Sequence, residues 1–96
     1  MEPANSDITV SDVVVSRAGR DQGEWFYVID ADETYLLLVN GKDRPLDKPK
    51  RKKRKHTQKV LRSETRVAAK LRSGDKVLNG ELRRDLAFLA REFASE

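Results

Sequence analysis

The chain has no cysteine, a single histidine and no long apolar run. Without cysteine it can form neither a disulfide nor a thiolate metal site, which fits a reducing compartment. Its histidine, His56, has no second histidine with which to complete a usual zinc site. The longest apolar runs have five residues, whereas a membrane-spanning helix needs about 20. The first seven residues contain two acids and no base, so we expect no secretory signal and predict a soluble, cytoplasmic protein.

Signatures of catalysis are missing as well. The sequence has no phosphate-binding nucleotide motif, and no serine has an evident set of histidine and aspartate partners. Asp30, Asp32 and Glu33 share a four-residue turn, where alternating acids are ordinary turn chemistry and not a signal for a hard cation. We therefore predict a noncatalytic protein with no cofactor, no metal and no small-molecule substrate.

What the sequence does contain is a series of short strands. Three apolar runs are rich in β-branched and aromatic residues, a composition that favours strands; they span residues 13–15, 25–29 and 35–39. A chain of 96 residues suits a single domain with a modest core. Short strands spaced this regularly predict a small barrel.

Turn residues separate the strands. The first connection, residues 16–23, is called the glycine loop below; its Gly19 and Gly23 can take backbone angles that are closed to other residues. Residues 30–33 make the second turn, and an Asn-Gly pair at residues 40–41 predicts a third hairpin turn.

The glycine loop also carries two arginines. Arg17 and Arg20 have planar guanidinium groups that suit phosphate, on a loop whose glycines allow a close approach. The alternative is that they pair on the surface with Asp12, Asp21 or Glu24, which would add little stability.

Charge is distributed unevenly along the chain. Residues 1–47 carry 4 Lys/Arg and 10 Asp/Glu, whereas residues 48–76 carry 13 and 2. Residues 48–55, called the basic segment below, hold seven bases in eight positions. Like charges repel, so such a run is typical of contact with an anionic partner, and we expect a solvated loop or a strand with both faces in water. If about six of its side chains contacted phosphates, the double-logarithmic slope of affinity against salt would be about −4.

The second predicted strand has two apolar faces. Its pleat places Trp25, Tyr27 and Ile29 on one face and Phe26 and Val28 on the other. One face must line the core, and two interpretations of the remaining aromatic face are open. It packs under the C-terminal helix, or Trp25 and Tyr27 offer a stacking surface to an unpaired base.

The C-terminal third has the periodicity of helices. Ser63 is a candidate cap for a helix through residue 72, with Gly74 just past its end. Asn79 is a candidate cap for a second helix. The apolar stripe of that helix, at helical spacing, consists of Leu82, Leu86, Leu89 and Phe93. This stripe either docks on the protein's own barrel or binds a partner or a second copy of the chain.

With the glycine loop and the basic segment taken together, residues 13–38 resemble the KOW module, the RNA-binding segment of NusG-type transcription factors and several large-subunit ribosomal proteins. More specifically, the chain resembles small bacterial KOW-domain RNA-binding proteins, which are similar to large-subunit ribosomal proteins of archaea and eukaryotes. The similarity is carried by the glycine loop, by Asn40-Gly41-Lys42, by Lys48-Pro49-Lys50 and by Lys55-His56. It covers residues 10–56 and, more loosely, residues 71–86.

This resemblance implies an SH3-like barrel of about five strands whose loops hold RNA. By position, Gly23 matches the hallmark glycine of the family and Gly19 the earlier glycine of the same loop. Phe26 and Val28 match the inward apolar positions. Many KOW modules have a further glycine soon after the hallmark one, where this chain has residues 24–26, so a different path from loop to strand is expected.

We thus expect a mainly β protein with one or two C-terminal helices. Residues 1–7 should form a flexible N-terminus, and residues 8–61 an SH3-like KOW barrel with a basic loop at residues 48–55. Residues 62–96 should form a helical extension that packs on the barrel. The predicted function is RNA binding, with ribosomal RNA as the expected partner, ribosomal proteins as further partners and no membrane association. The expected RNA-contacting residues are Arg17, Gly19, Arg20, Gly23, Lys42, Lys48, Lys50, Arg51, Lys52, Lys53, Arg54, Lys55 and His56, with Trp25 and Tyr27 as candidates for base stacking. The alternative function is a protein-interaction adaptor of the transcription or translation machinery that uses the barrel and the amphipathic C-terminal helix.

Overall fold

A computed structural model describes residues 7–94 of the chain, which are mainly β with two helices at the C-terminal end. The strands are β1 (Asp12–Ser16), β2 (Trp25–Ala31), β3 (Tyr35–Val39), β4 (Lys50–Lys53) and β5 (Thr57–Arg62). A 3-10 helix (Arg54–His56) joins β4 to β5, and the helices are α1 (Arg66–Ser73) and α2 (Asn79–Ala94). The three predicted strands are confirmed as β1, β2 and β3. Apart from residue 7, the predicted flexible N-terminus lies outside the described residues.

All five strands belong to one antiparallel sheet in the order β4-β3-β2-β1-β5. β4 and β5 are therefore its two edges and the sheet is not closed, so the predicted mainly β class is confirmed but the barrel is not. The two edge strands are nevertheless consecutive in the chain, separated only by the three-residue 3-10 helix. Such a connection reaches at most about 14 Å, so the sheet must curl until its edges approach each other there.

Each face of the curled sheet has its own apolar cluster, because successive side chains of a strand point to opposite faces. The inner cluster is formed by Ile8, Val14, Phe26, Val28, Leu36 and Leu38. The outer cluster combines Val13, Tyr27 and Val39 of the sheet with Val67, Ala68, Val77, Leu82 and Leu86 of the helical part. The helices thus cover the outer face of the sheet, as the predicted docking of the C-terminal extension requires.

The first helix begins two residues later than predicted. Thr65 is its cap, since the Thr65 side chain accepts a hydrogen bond from the Ala68 N–H group at 3.2 Å. The predicted cap, Ser63, is instead buried, with its hydroxyl hydrogen-bonded to the Tyr27 hydroxyl at 2.8 Å. The predicted end of the helix is confirmed, because Gly74 has a left-handed backbone with φ of 79°.

The second helix begins at Asn79 and lays most of its apolar stripe on the sheet. The Asn79 side chain, predicted as its cap, instead accepts a hydrogen bond from the Leu46 N–H group. Leu82 and Leu86 are buried in the outer cluster, and Leu89 packs against it. The Phe93 ring meets Trp25 edge-to-face, with ring centroids 5.5 Å apart. Within residues 7–94, neither helix has the length and apolar character needed to cross a membrane.

The connection between β3 and β4, residues 40–49, is longer than the two-residue turn predicted from its Asn-Gly pair. Its Gly41 has a φ of 76° and lies directly against the start of α2. A Cβ atom at Gly41 would be 2.3 Å from the Asn79 carbonyl oxygen. Arg83 donates to the Gly41 carbonyl oxygen at 3.0 Å, and the Leu46 N–H group donates to the Asn79 side chain at 2.8 Å. These contacts hold the start of α2 against the β3–β4 connection.

Candidate nucleic-acid interface

The fold brings the glycine loop and the basic segment together, although they are some 30 residues apart in the sequence. The Arg17 N–H group donates to the His56 carbonyl oxygen at 2.8 Å. The Lys52 ammonium group donates to the Ala18 carbonyl oxygen, also at 2.8 Å. Gly19 and Gly23 have φ angles of 87° and 92°, so the predicted left-handed conformations are confirmed. The two segments that carry the resemblance to KOW proteins form one continuous surface.

A buried carboxylate, Asp21, joins these two segments. It accepts a hydrogen bond from the Ser16 hydroxyl at 2.7 Å and forms ion pairs with Lys50 at 2.7 Å and Lys52 at 3.0 Å. Burial by itself would raise the pKa of Asp21, but the hydrogen bonds from Lys50, Ser16 and Lys52 outweigh burial and hold this pKa well below its usual range. Asp21 therefore stays ionised and neutralises part of the basic segment.

The pleat of β4 divides the basic segment into two sets. Lys50 and Lys52 pair with Leu38 and Leu36 across the sheet and share their inner face. Lys52 is only 8% exposed, so the prediction of a strand with both faces in water is wrong at this residue. Arg51 and Lys53, the alternating members, are exposed on the outer face. The expected loop at residues 48–55 is thus mostly strand, with one inward and one outward set of cations.

Several predicted contact residues remain available to a ligand. Arg17, Arg20, Lys42, Lys48, Lys53 and Lys55 are exposed, and their side chains make no hydrogen bond or ion pair within residues 7–94. Arg54 differs, because it donates to the carbonyl oxygens of Asp32 at 2.7 Å and Ile8 at 2.9 Å. His56 is half-buried at the junction with the glycine loop. The structure therefore leaves fewer cations free than the seven that the basic segment contains.

The two loop arginines do not form the surface pairs that were their alternative interpretation. Asp21 is taken by the lysines of β4, and Asp12 is buried and paired with Arg62 at 2.9 Å. The guanidinium groups of Arg17 and Arg20 thus have no carboxylate partner among the described residues.

A shallow depression of about 290 Å³ lies between the glycine loop and the β3–β4 connection. Arg20 and Glu24 line one side, Asp43 and Arg44 line the other, and Lys50 completes the rim. Arg44 was not among the predicted contact residues, because its position in a connection of mixed charge gave no signal in the sequence. Lys42 lies on the same connection, which places it near this rim.

The two candidates for base stacking have structural partners. Tyr27 is completely buried in the outer cluster, so its ring has no face open to a base. Its hydroxyl donates to Asp85 at 2.5 Å and lies within hydrogen-bond distance of the Ser63 hydroxyl at 2.8 Å. Trp25 is half-buried and packs on Phe93. The structure therefore favours the interpretation in which this aromatic face packs under the C-terminal helix.

Burial of Tyr27, together with its hydrogen bond to Asp85, raises its pKa from about 10 to about 12. A raised pKa means that the folded protein holds the phenol proton more tightly than the unfolded chain does. This contribution to stability is complete below pH 10 and is lost as the pH rises to 12. We expect the free energy of unfolding of the wild type to fall over this interval more steeply than that of Tyr27→Phe, measured by urea denaturation.

The matched control for this experiment is Tyr35→Phe, because the Tyr35 hydroxyl makes no hydrogen bond with the described residues. This variant should follow the wild-type pH dependence. Equal pH dependence of the wild type and Tyr27→Phe would contradict the assignment to Tyr27.

Within the described part of the chain, no three His, Asp or Glu side chains are grouped so that they could hold a metal ion.

No protein-family model matches the chain, and no curated protein matches it with significance.

Proposed function

We propose that this protein binds RNA through the surface formed by the glycine loop and the outward residues of the basic segment. The observation that carries the proposal is that the glycine loop contacts the basic segment and the adjoining His56, while both segments keep exposed arginines and lysines that have no carboxylate partner among residues 7–94. Arg17 and Arg20 come from the loop; Lys53 and Lys55 come from β4 and the 3-10 helix. Arginine and lysine contacts to phosphate release condensed counterions, which is the main source of affinity for nucleic acids.

The internal ion pairs support this assignment. If ion pairs with the acidic first half of the chain accounted for the whole charge of the basic segment, all its cations would face carboxylates. Asp21 forms ion pairs with Lys50 and Lys52 alone. These ion pairs fix the backbone of β4, from which Arg51 and Lys53 point outward. A fixed scaffold lowers the conformational entropy that the remaining side chains lose on binding.

We further propose that the curled sheet is an SH3-like barrel of the KOW type and that ribosomal RNA is its partner. Support comes from the five-stranded antiparallel sheet, whose edge strands are joined by a single turn, and from the position of the glycine loop between its first two strands. Phe26 and Val28 lie in the inner cluster, as the family resemblance implies.

The experiment that tests RNA binding is a titration of a fluorescent structured RNA at several salt concentrations. Phosphate contacts by Arg17, Arg20, Lys53 and Lys55 predict a double-logarithmic slope of about −3 at about 0.7 per contact, less steep than six contacts from the basic segment would give. Arg17→Ala with Arg20→Ala should reduce the slope by about 1.4 while leaving the thermal transition in place. Lys76→Ala, in the connection between the helices, is the control and should leave the slope unchanged. A wild-type slope near zero would exclude this function.

The alternative of a protein-interaction adaptor has less support. The apolar stripe of α2 that would have bound a partner is used to cover the sheet, where Leu82 and Leu86 are buried. Leu78 and Phe88 are exposed, at 56% and 45%, but single exposed apolar residues are common on soluble surfaces.

A further inference from the structure

An aromatic ring lies beside the basic segment, on the outer face of the hairpin formed by β3 and β4. Tyr35 is paired with Lys53 across the two strands, and its ring is covered by the guanidinium group of Arg51. The guanidinium carbon is 3.6 Å from the ring centroid, which is the spacing of stacked planar groups. Tyr35 is half-buried and Arg51 is exposed.

Apart from Tyr35, the side chain that acts on this arginine within residues 7–94 is Asp32, through a charge–charge attraction without an ion pair. Arg51 makes no hydrogen bond or ion pair with any residue of the described chain. Its hydrogen-bonding edge and its outer face are therefore open to a ligand. Guanidinium planes and aromatic rings are the two surfaces on which proteins stack unpaired bases, and here one lies on top of the other.

The space next to this pair suits a base better than a phosphate. A shallow cavity of about 290 Å³ is lined by Tyr35, Leu37, Arg51 and Ala31, with Asp30 and Asp32 on its rim. Leu37 and the tyrosine ring give apolar contact area. The backbone N–H groups of Tyr35 and Thr34 donate to the Asp32 carboxylate and lower its pKa, so that carboxylate stays charged and repels phosphate.

We infer that Tyr35 and Arg51 form a stacking platform for an unpaired base, with the flanking phosphates reaching Lys53 and Lys55. This inference rests on the proposed RNA binding and adds a substrate class to it. The preferred RNA has a single-stranded or looped segment, since bases inside a regular helix are already stacked on each other. The platform takes the role that the sequence suggested for Trp25 and Tyr27.

The test compares two ligands of equal charge: an octamer of adenylate and an abasic ribose-phosphate octamer. The wild type should bind the adenylate octamer about 10-fold more tightly, because stacking on an aromatic side chain adds affinity for each base. Tyr35→Ala and Arg51→Lys should reduce this preference to about 2-fold or less. Arg51→Lys keeps the positive charge, so the salt dependence of binding should not change. Thermal unfolding verifies that both variants are folded.

Two matched variants separate stacking from charge. Tyr35→Phe keeps the ring and should keep the preference for the adenylate octamer. Lys53→Ala removes a neighbouring charge and should weaken both ligands equally. If the wild type binds both octamers equally but with a steep salt dependence, the platform is excluded while RNA binding stands. If Arg51→Lys and Tyr35→Ala retain the full preference, the base stacks elsewhere. If neither octamer nor the structured RNA binds, both proposals are excluded.

Discussion

Replacing Lys53 and Lys55 by glutamate should weaken RNA binding about 250-fold at physiological salt. Each lysine that contacts a phosphate contributes about 4-fold through counterion release at this salt concentration, and each glutamate adds a repulsion of similar size. Both side chains are exposed and make no pair with a described residue, so their loss leaves no buried charge without a partner. The dissociation constant is measured by fluorescence anisotropy, and circular dichroism monitors the fold.

The control for this variant carries the same change in net charge at another place. Lys76→Glu with Arg91→Glu alters two exposed cations of the helical part, and the dissociation constant should change less than 5-fold. If both double variants lose affinity to the same extent, binding responds to the overall charge of the protein and not to the proposed surface.

Replacing Gly41 by alanine should lower the free energy of unfolding by about 3 kcal/mol and the melting temperature by about 15 °C. Two causes act together at this residue. Its φ of 76° is strained for any residue with a Cβ atom, and that atom would lie 2.3 Å from the Asn79 carbonyl oxygen and 3.1 Å from the Arg83 nitrogen. Since both contacts are to backbone, α2 must shift before the methyl group can fit.

Gly23→Ala is the matched variant, because Gly23 has a similar φ of 92° but no atom within 4 Å of a Cβ built on it. The free energy of unfolding of this variant should fall only by the cost of the left-handed backbone, about 1 kcal/mol. Chemical denaturation of both variants measures the difference between them. Equal losses would show that the start of α2 does not lie against Gly41.

The local features of this fold could be predicted from the sequence because they depend on neighbouring residues. The β-branched and aromatic runs became β1, β2 and β3, and the left-handed conformations fell on Gly19, Gly23 and Gly74. The helical spacing of Leu82 and Leu86 identified the face of α2 that is buried. In each case, a few adjacent residues contain the physical cause.

The features that depend on pairing between strands could not be predicted. Alternation along β4 says that Lys50 and Lys52 share a face, but only the register with β3 shows that this face is the inner one. The same register places Arg51 diagonally across from Tyr35. The capping prediction failed at Ser63 for a related reason, since its hydroxyl is engaged by Tyr27, 36 residues earlier.

The alternation along β4 also has a consequence for how this protein can vary. Connections between strands usually tolerate insertions, because their length costs little free energy. Here, one extra residue between β3 and β4 that slid β4 by one position would exchange its two sets of cations. Arg51 and Lys53 would turn toward the interior, and the surface would present the lysines that now meet Asp21. An insertion in the connection at residues 40–49 therefore keeps the two sets of cations in place only if the connection absorbs it without moving β4.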